Sequence, residues 1–350
     1  MTERENLLRA LRFGEPEHIP LRFNVSGACW NHYEPSALED LMASHPLLFP
    51  GFERSEGPRT PQFAPWQRRG APYTDSWRCR WETAEDGLTG AVVGHPLADW
   101  SALEDFKAPD ASEHDGWGPI DWDARARQTE AARAAGRLTR GGLRHGHTFL
   151  TLTYIRGYEN VILDMADGEG RLRRLLEMIE AFNAGLVERW MALGVEWMGY
   201  PEDLGMQVGP MLSPAQFREW IRPVYERLMA PAREAGCVIH MHSDGDVRAL
   251  ADDLLVAGVE VLNLQDLVNG LDWIREHLKG RVCIDLDLDR QRITRYGTPA
   301  QIDAHVRRAV ETLGDGRGGL MMNHGLYPGV PLENVKALMD AMERYAGYWS

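Results

Sequence analysis

The chemistry in this chain is concentrated in Val238-Ile239-His240-Met241-His242-Ser243-Asp244-Gly245-Asp246, an apolar run that ends in imidazoles and carboxylates ahead of a glycine. Side chains on a strand alternate between faces, so His240, His242 and, where the extended backbone continues, Asp244 share one face. Imidazole beside carboxylate can move a proton, or can hold a divalent ion such as zinc. The same residues also read as hydrogen-bonded core histidines followed by an Asp that caps the next helix. His324, ahead of Gly325 at the end of another apolar run, is a second candidate, at a position where a core histidine is less expected.

The elements that must position these groups are strands alternating with helices. Strands are expected at Ile19 to Val25, Glu196 to Tyr200, Val238 onward, Val259 to Gln265, Arg281 to Asp287 and Gly319 to Gly325. Asp75 to Trp81 is a further candidate strand. Ser213-Pro214-Ala215-Gln216 and Thr298-Pro299-Ala300-Gln301 each predict a helix start, with the hydroxyl residue at the cap and Pro at the first helical position. Leu172, Leu175, Leu176, Ile179, Phe182 and Leu186 make one helical stripe, read as core. The late strands end in polar residues at period two: His240 and His242, Asn263 and Gln265, Asp285 and Asp287. A closed barrel gathers such ends at one mouth, so the expected fold is α/β, a (β/α)8 TIM barrel. That mouth would collect Glu202, Asp203, Gln207, His242, Asp244, Asn263, Asp285, Asp287 and His324. No spacing among them fixes a ligand set, and Asp285, Asp287 and Asp289 read more readily as caps of the following helix and partners of loop hydrogen bonds than as catalytic groups. Residues 47–74, rich in Pro, Gly and Arg, are too long for an ordinary connector and are expected to form a lid or insertion.

The chain has 350 residues, 44% of them hydrophobic, and a formal net charge of -14. That length suits one barrel domain with insertions. The charge disfavours nucleic acid and anionic membranes as partners. No apolar run reaches membrane-spanning length and the start lacks a signal core, so a soluble, cytoplasmic protein is expected. Four widely spaced cysteines, with no Cys-x-x-Cys, read as reduced core thiols. No Gly-x-Gly-x-x-Gly or Walker sequence supports a nucleotide fold. The Trp and Met residues read as core, with a homodimer face as the alternative.

The segment His324-Gly325-Leu326-Tyr327-Pro328-Gly329-Val330-Pro331-Leu332-Glu333-Asn334-Val335 resembles the closing motif of the uroporphyrinogen decarboxylase superfamily. Thr153-Tyr154-Ile155-Arg156-Gly157 resembles the family segment with a substrate-facing Tyr. Asp203-Leu204-Gly205-Met206-Gln207 with Ser213-Pro214, and His242-Ser243-Asp244-Gly245, are similar to two more of its motifs. The resemblance covers about residues 140–345. Earlier residues match loosely, through the opening helix and Asp75-Ser76-Trp77.

The resemblance implies a (β/α)8 barrel and one of two chemistries. The decarboxylases use no metal or cofactor and carry an Arg-rich propionate-binding segment near the first strand. Here that region offers only Arg22. The cobalamin-dependent methyltransferases hold zinc with His-x-Cys and a later Cys. Here His242 matches the His, Asp244 stands at the first Cys, and the later Cys is absent, which shifts preference toward harder N/O ligation. The expectation is therefore a methyltransferase-like or demethylase-like enzyme acting on a small molecule with a corrinoid-carrying partner protein. A zinc or other divalent metal, where one is used, would sit on His242, Asp244 and His324, with Glu202 as a further candidate. Tyr154, His324, Glu202 and Asp203 are the expected catalytic residues; Gln207, Asn263, Asp285 and Asp75 are expected to bind substrate. The alternative is a decarboxylase of a carboxylated, tetrapyrrole-like substrate without metal or cofactor. A noncatalytic corrinoid- or tetrapyrrole-binding protein is the third reading.

Overall fold

The structure is a computed structural model that describes residues 1–57 and 61–348. Its strands are β1 (Leu21–Val25), β2 (Tyr73–Thr74), β3 (Arg80–Glu82), β4 (Ala91–Gly94), β5 (Arg140–Gly142), β6 (Trp197–Gly199), β7 (Val238–Ser243), β8 (Val261–Gln265), β9 (Cys283–Asp287) and β10 (Leu320–Leu326). Seven of them form one sheet in the order β1-β10-β9-β8-β7-β6-β5, and β2-β3-β4 form a small second sheet. The pairs β1/β10, β10/β9, β5/β6 and β6/β7 are all parallel. This is an α/β fold built on a parallel sheet, as the alternation predicts. The expected eighth parallel strand is absent among the described residues. The reason lies between β1 and β5: that stretch is broken by Pro and Gly and offers no long β-branched run. The expected pairing of last strand with first is present, with Arg22 opposite Asn323 and Phe23 opposite His324.

The chain packs as two compact units, and the division falls inside β8. The first comprises Met1–Pro72, Glu82–Ala91 and Leu264–Ser350. It opens with a helix, Glu3–Leu11, capped by Thr2, whose hydroxyl accepts from Glu5 N–H. Of the expected lid, residues 58–60 lie outside the described residues; Pro65–Gln67 form a single helical turn. A Cβ at Gly27, just past β1, would lie 3.2 Å from Phe63 Cε1, so this aromatic of the stretch sits over the end of that strand. The helix Pro299–Leu313 begins with the reciprocal capping box that its sequence predicts.

One buried pair in this unit gives a pH signature. His305 Nε2 lies 2.6 Å from Asp266. Burial works to lower the His305 pKa, but the Asp266 carboxylate outweighs it and holds the imidazole above its ordinary 6.5. A raised folded-state value makes this contribution complete below the unfolded pKa, and it is lost as pH rises through the folded one. The melting temperature of the wild type should therefore exceed that of His305→Asn most at pH 6, with the gap closing toward pH 9. A gap independent of pH would refute this assignment.

The second unit comprises Tyr73–Trp81 and Val92–Asn263. The long helix Gly170–Ala192 buries the whole predicted stripe. Each such Leu, fully removed from water, contributes about 2 kcal/mol. Ser213 starts the next helical segment with a capping box. Pro223 has no amide hydrogen to give, and just before it Arg222 N–H reaches back to Phe217 O, so Phe217–Ile221 is a π turn ahead of the helix Arg222–Glu234. Of the candidate strand Asp75–Trp81, Arg80 and Trp81 belong to β3, while Asp75–Cys79 is the turn between β2 and β3. Asp75 accepts from Trp77 and Cys79 N–H, and Arg78 has φ 67°. All four cysteines are buried free thiols. Among the described residues, no helix is long and apolar enough to cross a membrane.

Candidate active site

In the second unit, β7 presents its side chains as alternation predicts. His240 points into packing and stacks on Trp197 of β6 at 4.8 Å, so for this histidine the core reading holds. His242, one period on at the strand end, is only part-buried. Its Nδ1 lies 2.5 Å from Asn263 Oδ1, at the middle of β8. Its Nε2 lies 3.4 Å from Asp203 Oδ1 and 3.8 Å from Asp244. His145, in the loop after β5, places its own Nε2 3.2 Å from the same Asp203 oxygen. The two imidazole rings are 5.7 Å apart. Asp244 N–H also donates to Asp203 Oδ1, at 3.0 Å.

Electrostatics follow from this convergence. Burial opposes charge on both partners, yet the imidazoles of His145 and His242 hold the Asp203 carboxyl well below the usual range. Burial likewise opposes charge on His242, but Asp203 and Asp244 outweigh it and raise its pKa to about 9.

Two glycines make the arrangement possible. Gly205 follows Asp203 and Gly245 follows Asp244, and their backbones touch: a Cβ on Gly245, where φ is 82°, would lie 2.2 Å from Gly205 C. Gly205 N–H donates to Asp244 O, and Asp246 N–H to Met206 O. Gly245→Ala should thus both strain the backbone and part the two loops, costing about 3 kcal/mol in denaturant unfolding. A loss below 1 kcal/mol would mean that the loops tolerate separation.

Several other expected site residues also have partners within the protein. Glu202 is fully buried. Its Oε1 accepts from Thr148 and Leu150 N–H at the start of the helix Phe149–Arg156, and its Oε2 accepts from the Tyr225 hydroxyl. Burial raises its pKa to about 7 against those hydrogen bonds. Asp75 accepts from Trp81 Nε1 and Arg144 Nη1 besides its two backbone donors. Arg144 is buried in turn, bonded to Gly116 O and Thr151 Oγ1. Tyr154 packs its ring edge-on against Trp81 at 4.8 Å, and burial raises its hydroxyl pKa. Gln207 lies on the exposed turn after the Asp203 loop.

Asp285 and His324 belong to the first unit. Arg22 bonds Asn323 Oδ1 at 2.9 Å and Asp285 Oδ2 at 3.0 Å. His324 is fully buried beside Phe23, with ring centroids 5.1 Å apart. Its Nδ1 donates to Leu288 O, and its Nε2 has no hydrogen-bond partner. Burial lowers its pKa to about 4, so it is neutral at pH 7.

Among the described residues, one group of His, Cys, Asp or Glu has the closeness of a metal site: His145, Asp203 and His242. Of the expected ligands it contains His242 but neither Asp244 nor His324. His145 is the member that the sequence did not single out. The available signal was an imidazole in the polar loop following a strand end.

A parallel-sheet α/β protein with polar groups at its strand ends belongs to the broad class that binds ligands there. The family model described as uroporphyrinogen decarboxylase (URO-D) matches residues 85–345, and the chain belongs to that family. The uroporphyrinogen decarboxylase of Syntrophotalea carbinolica is 26% identical over 51% of this chain and 55% of its own length. That of Thermus thermophilus is 31% identical over 39% and 38%. The matches thus span about half or less of these curated relatives. A methyltransferase from Methanosarcina mazei shares the fold with a TM-score of 0.66, covering 99% of each chain at 18% identity.

Proposed function

We propose that this chain is a methyl-transfer enzyme of the family, moving a methyl group between a small molecule and a corrinoid carried by a partner protein. The observation that carries the reading is the convergence of His145 and His242 on Asp203, a centre suited to holding or activating a nucleophile. In such a centre a bound divalent ion supplies Lewis acidity that makes a thiol nucleophilic. The chain's own residues orient the parts. Asn263 engages His242 Nδ1 and so leaves Nε2 turned toward Asp203. Asp244 N–H orients the Asp203 carboxylate. The full-length fold likeness to a methyltransferase agrees with this reading.

The decarboxylase alternative is less well supported. Arg22, the cation that the sequence offers near the first strand, is already engaged by Asp285, so a polyanionic substrate would have to displace that carboxylate. The test is to incubate the purified chain with methylcob(III)alamin and a panel of small thiols, following the corrinoid spectrum. Thiol-dependent demethylation above the protein-free rate is expected. Carbon dioxide release from a carboxylated substrate, with no corrinoid turnover, would overturn the reading.

A further inference from the structure

We propose that His145, Asp203 and His242 form a divalent transition-metal site whose protein ligands are all nitrogen and oxygen. The use of the metal rests on the reading of function above; its binding does not. One ligand atom from each residue lies within 4.8 Å of the others. The two Nε2 atoms stand 3.2 and 3.4 Å from Asp203 Oδ1. Around a tetrahedral ion with bonds of about 2.0–2.1 Å, ligand atoms are about 3.3 Å apart. Both His–Asp separations therefore match the spacing of ligands around a zinc-like ion. Calcium, with bonds of about 2.3–2.6 Å and six to eight oxygens, needs a wider and richer set.

The surroundings support the same assignment independently. Asn263 Oδ1 can only accept, so His242 Nδ1 carries a proton and Nε2 is the nitrogen left to face the ion, giving up its own proton when the ion binds. Such outer partners commonly present an imidazole to a metal. Asp244 N–H holds the Asp203 oxygen in place, and the Asp244 carboxylate adds a second negative charge 3.8 Å from His242 Nε2. Three protein ligands leave a coordination position open for substrate. With no thiolate in the set, the site should prefer borderline ions such as zinc or cobalt(II) over soft ones.

The full-length chain, dialysed against zinc or cobalt(II) and then against metal-free buffer, tests this by elemental analysis and visible spectroscopy. About one equivalent should remain, with cobalt d–d bands and no intense thiolate charge-transfer band. His145→Ala and the near-isosteric Asp203→Asn should each weaken retention by about tenfold or more, with circular dichroism unchanged. His324→Asn, in the other unit, should retain the metal. No retention by the wild type, or retention unaffected by both His145→Ala and Asp203→Asn, would overturn the site. A thiolate band would move it to a cysteine and overturn it equally. A chain that binds the ion but turns over no methylcobalamin would leave the site standing and remove the proposed function.

Discussion

Replacing His242 by Ala should lower kcat/KM for corrinoid methyl transfer by about 10³-fold, within the range for loss of a central acid-base or ligating group. The side chain touches three polar partners at once: Asn263, Asp203 and Asp244. Removing it leaves Asp203 facing one imidazole rather than two. Fold should survive, because the side chain is 22% exposed at a strand end and fills no core cavity. The loss should appear in kcat at saturating thiol, since orientation of the reacting centre rather than substrate binding is removed. Steady-state kinetics beside a thermal melt provide the measurement. A variant that keeps more than a tenth of wild-type kcat with an unchanged melt would exclude His242 from the chemistry.

Glu202→Ala should act through stability instead, by about 3–5 kcal/mol. The carboxylate is fully buried and serves three donors: Thr148 N–H, Leu150 N–H and the Tyr225 hydroxyl. Truncation strands two amides at a helix start and one phenol, each without water to replace the lost partner. Glu202→Gln keeps the shape and one acceptor oxygen, so it should recover roughly half of the loss. Denaturant midpoints of the two variants separate these outcomes. A Glu202→Ala protein as stable as wild type, but inactive, would make the catalytic role of Glu202 the one that counts.

These two residues show how far the sequence reaches. His242 and Glu202 both sit at or just beyond a strand end among polar neighbours, and both read as candidates. Sequence spacing cannot tell a carboxylate that closes a helix start from one that meets a substrate. The difference lies in donors distant along the chain. Asp75 gives the same lesson: its oxygens serve Trp77, Cys79, Trp81 and Arg144. His324, a candidate beside a glycine, is likewise placed by a neighbour distant along the chain: Phe23, across the β1/β10 pair, lies against its ring.

What the sequence determined by itself is whatever local backbone geometry fixes. Period two put His240 and His242 on one face, and a hydroxyl three residues before Gln set both capping boxes. The helical stripe from Leu172 to Leu186 was decided the same way. The alternation of elements gave the parallel α/β sheet, and the closing motif gave the family. Only the tertiary structure decided which groups meet. It brought His145 to Asp203, and it let the Gly205 and Gly245 backbones touch so that the Asp203 and Asp244 loops share a hydrogen bond. Among the described residues it also gave seven strands in the sheet where eight were expected. Strand periodicity and helix caps are set by dihedrals and hydrogen bonds within a few residues. The partners of a loop side chain depend instead on long-range packing and on which buried polar groups already have their hydrogen bonds.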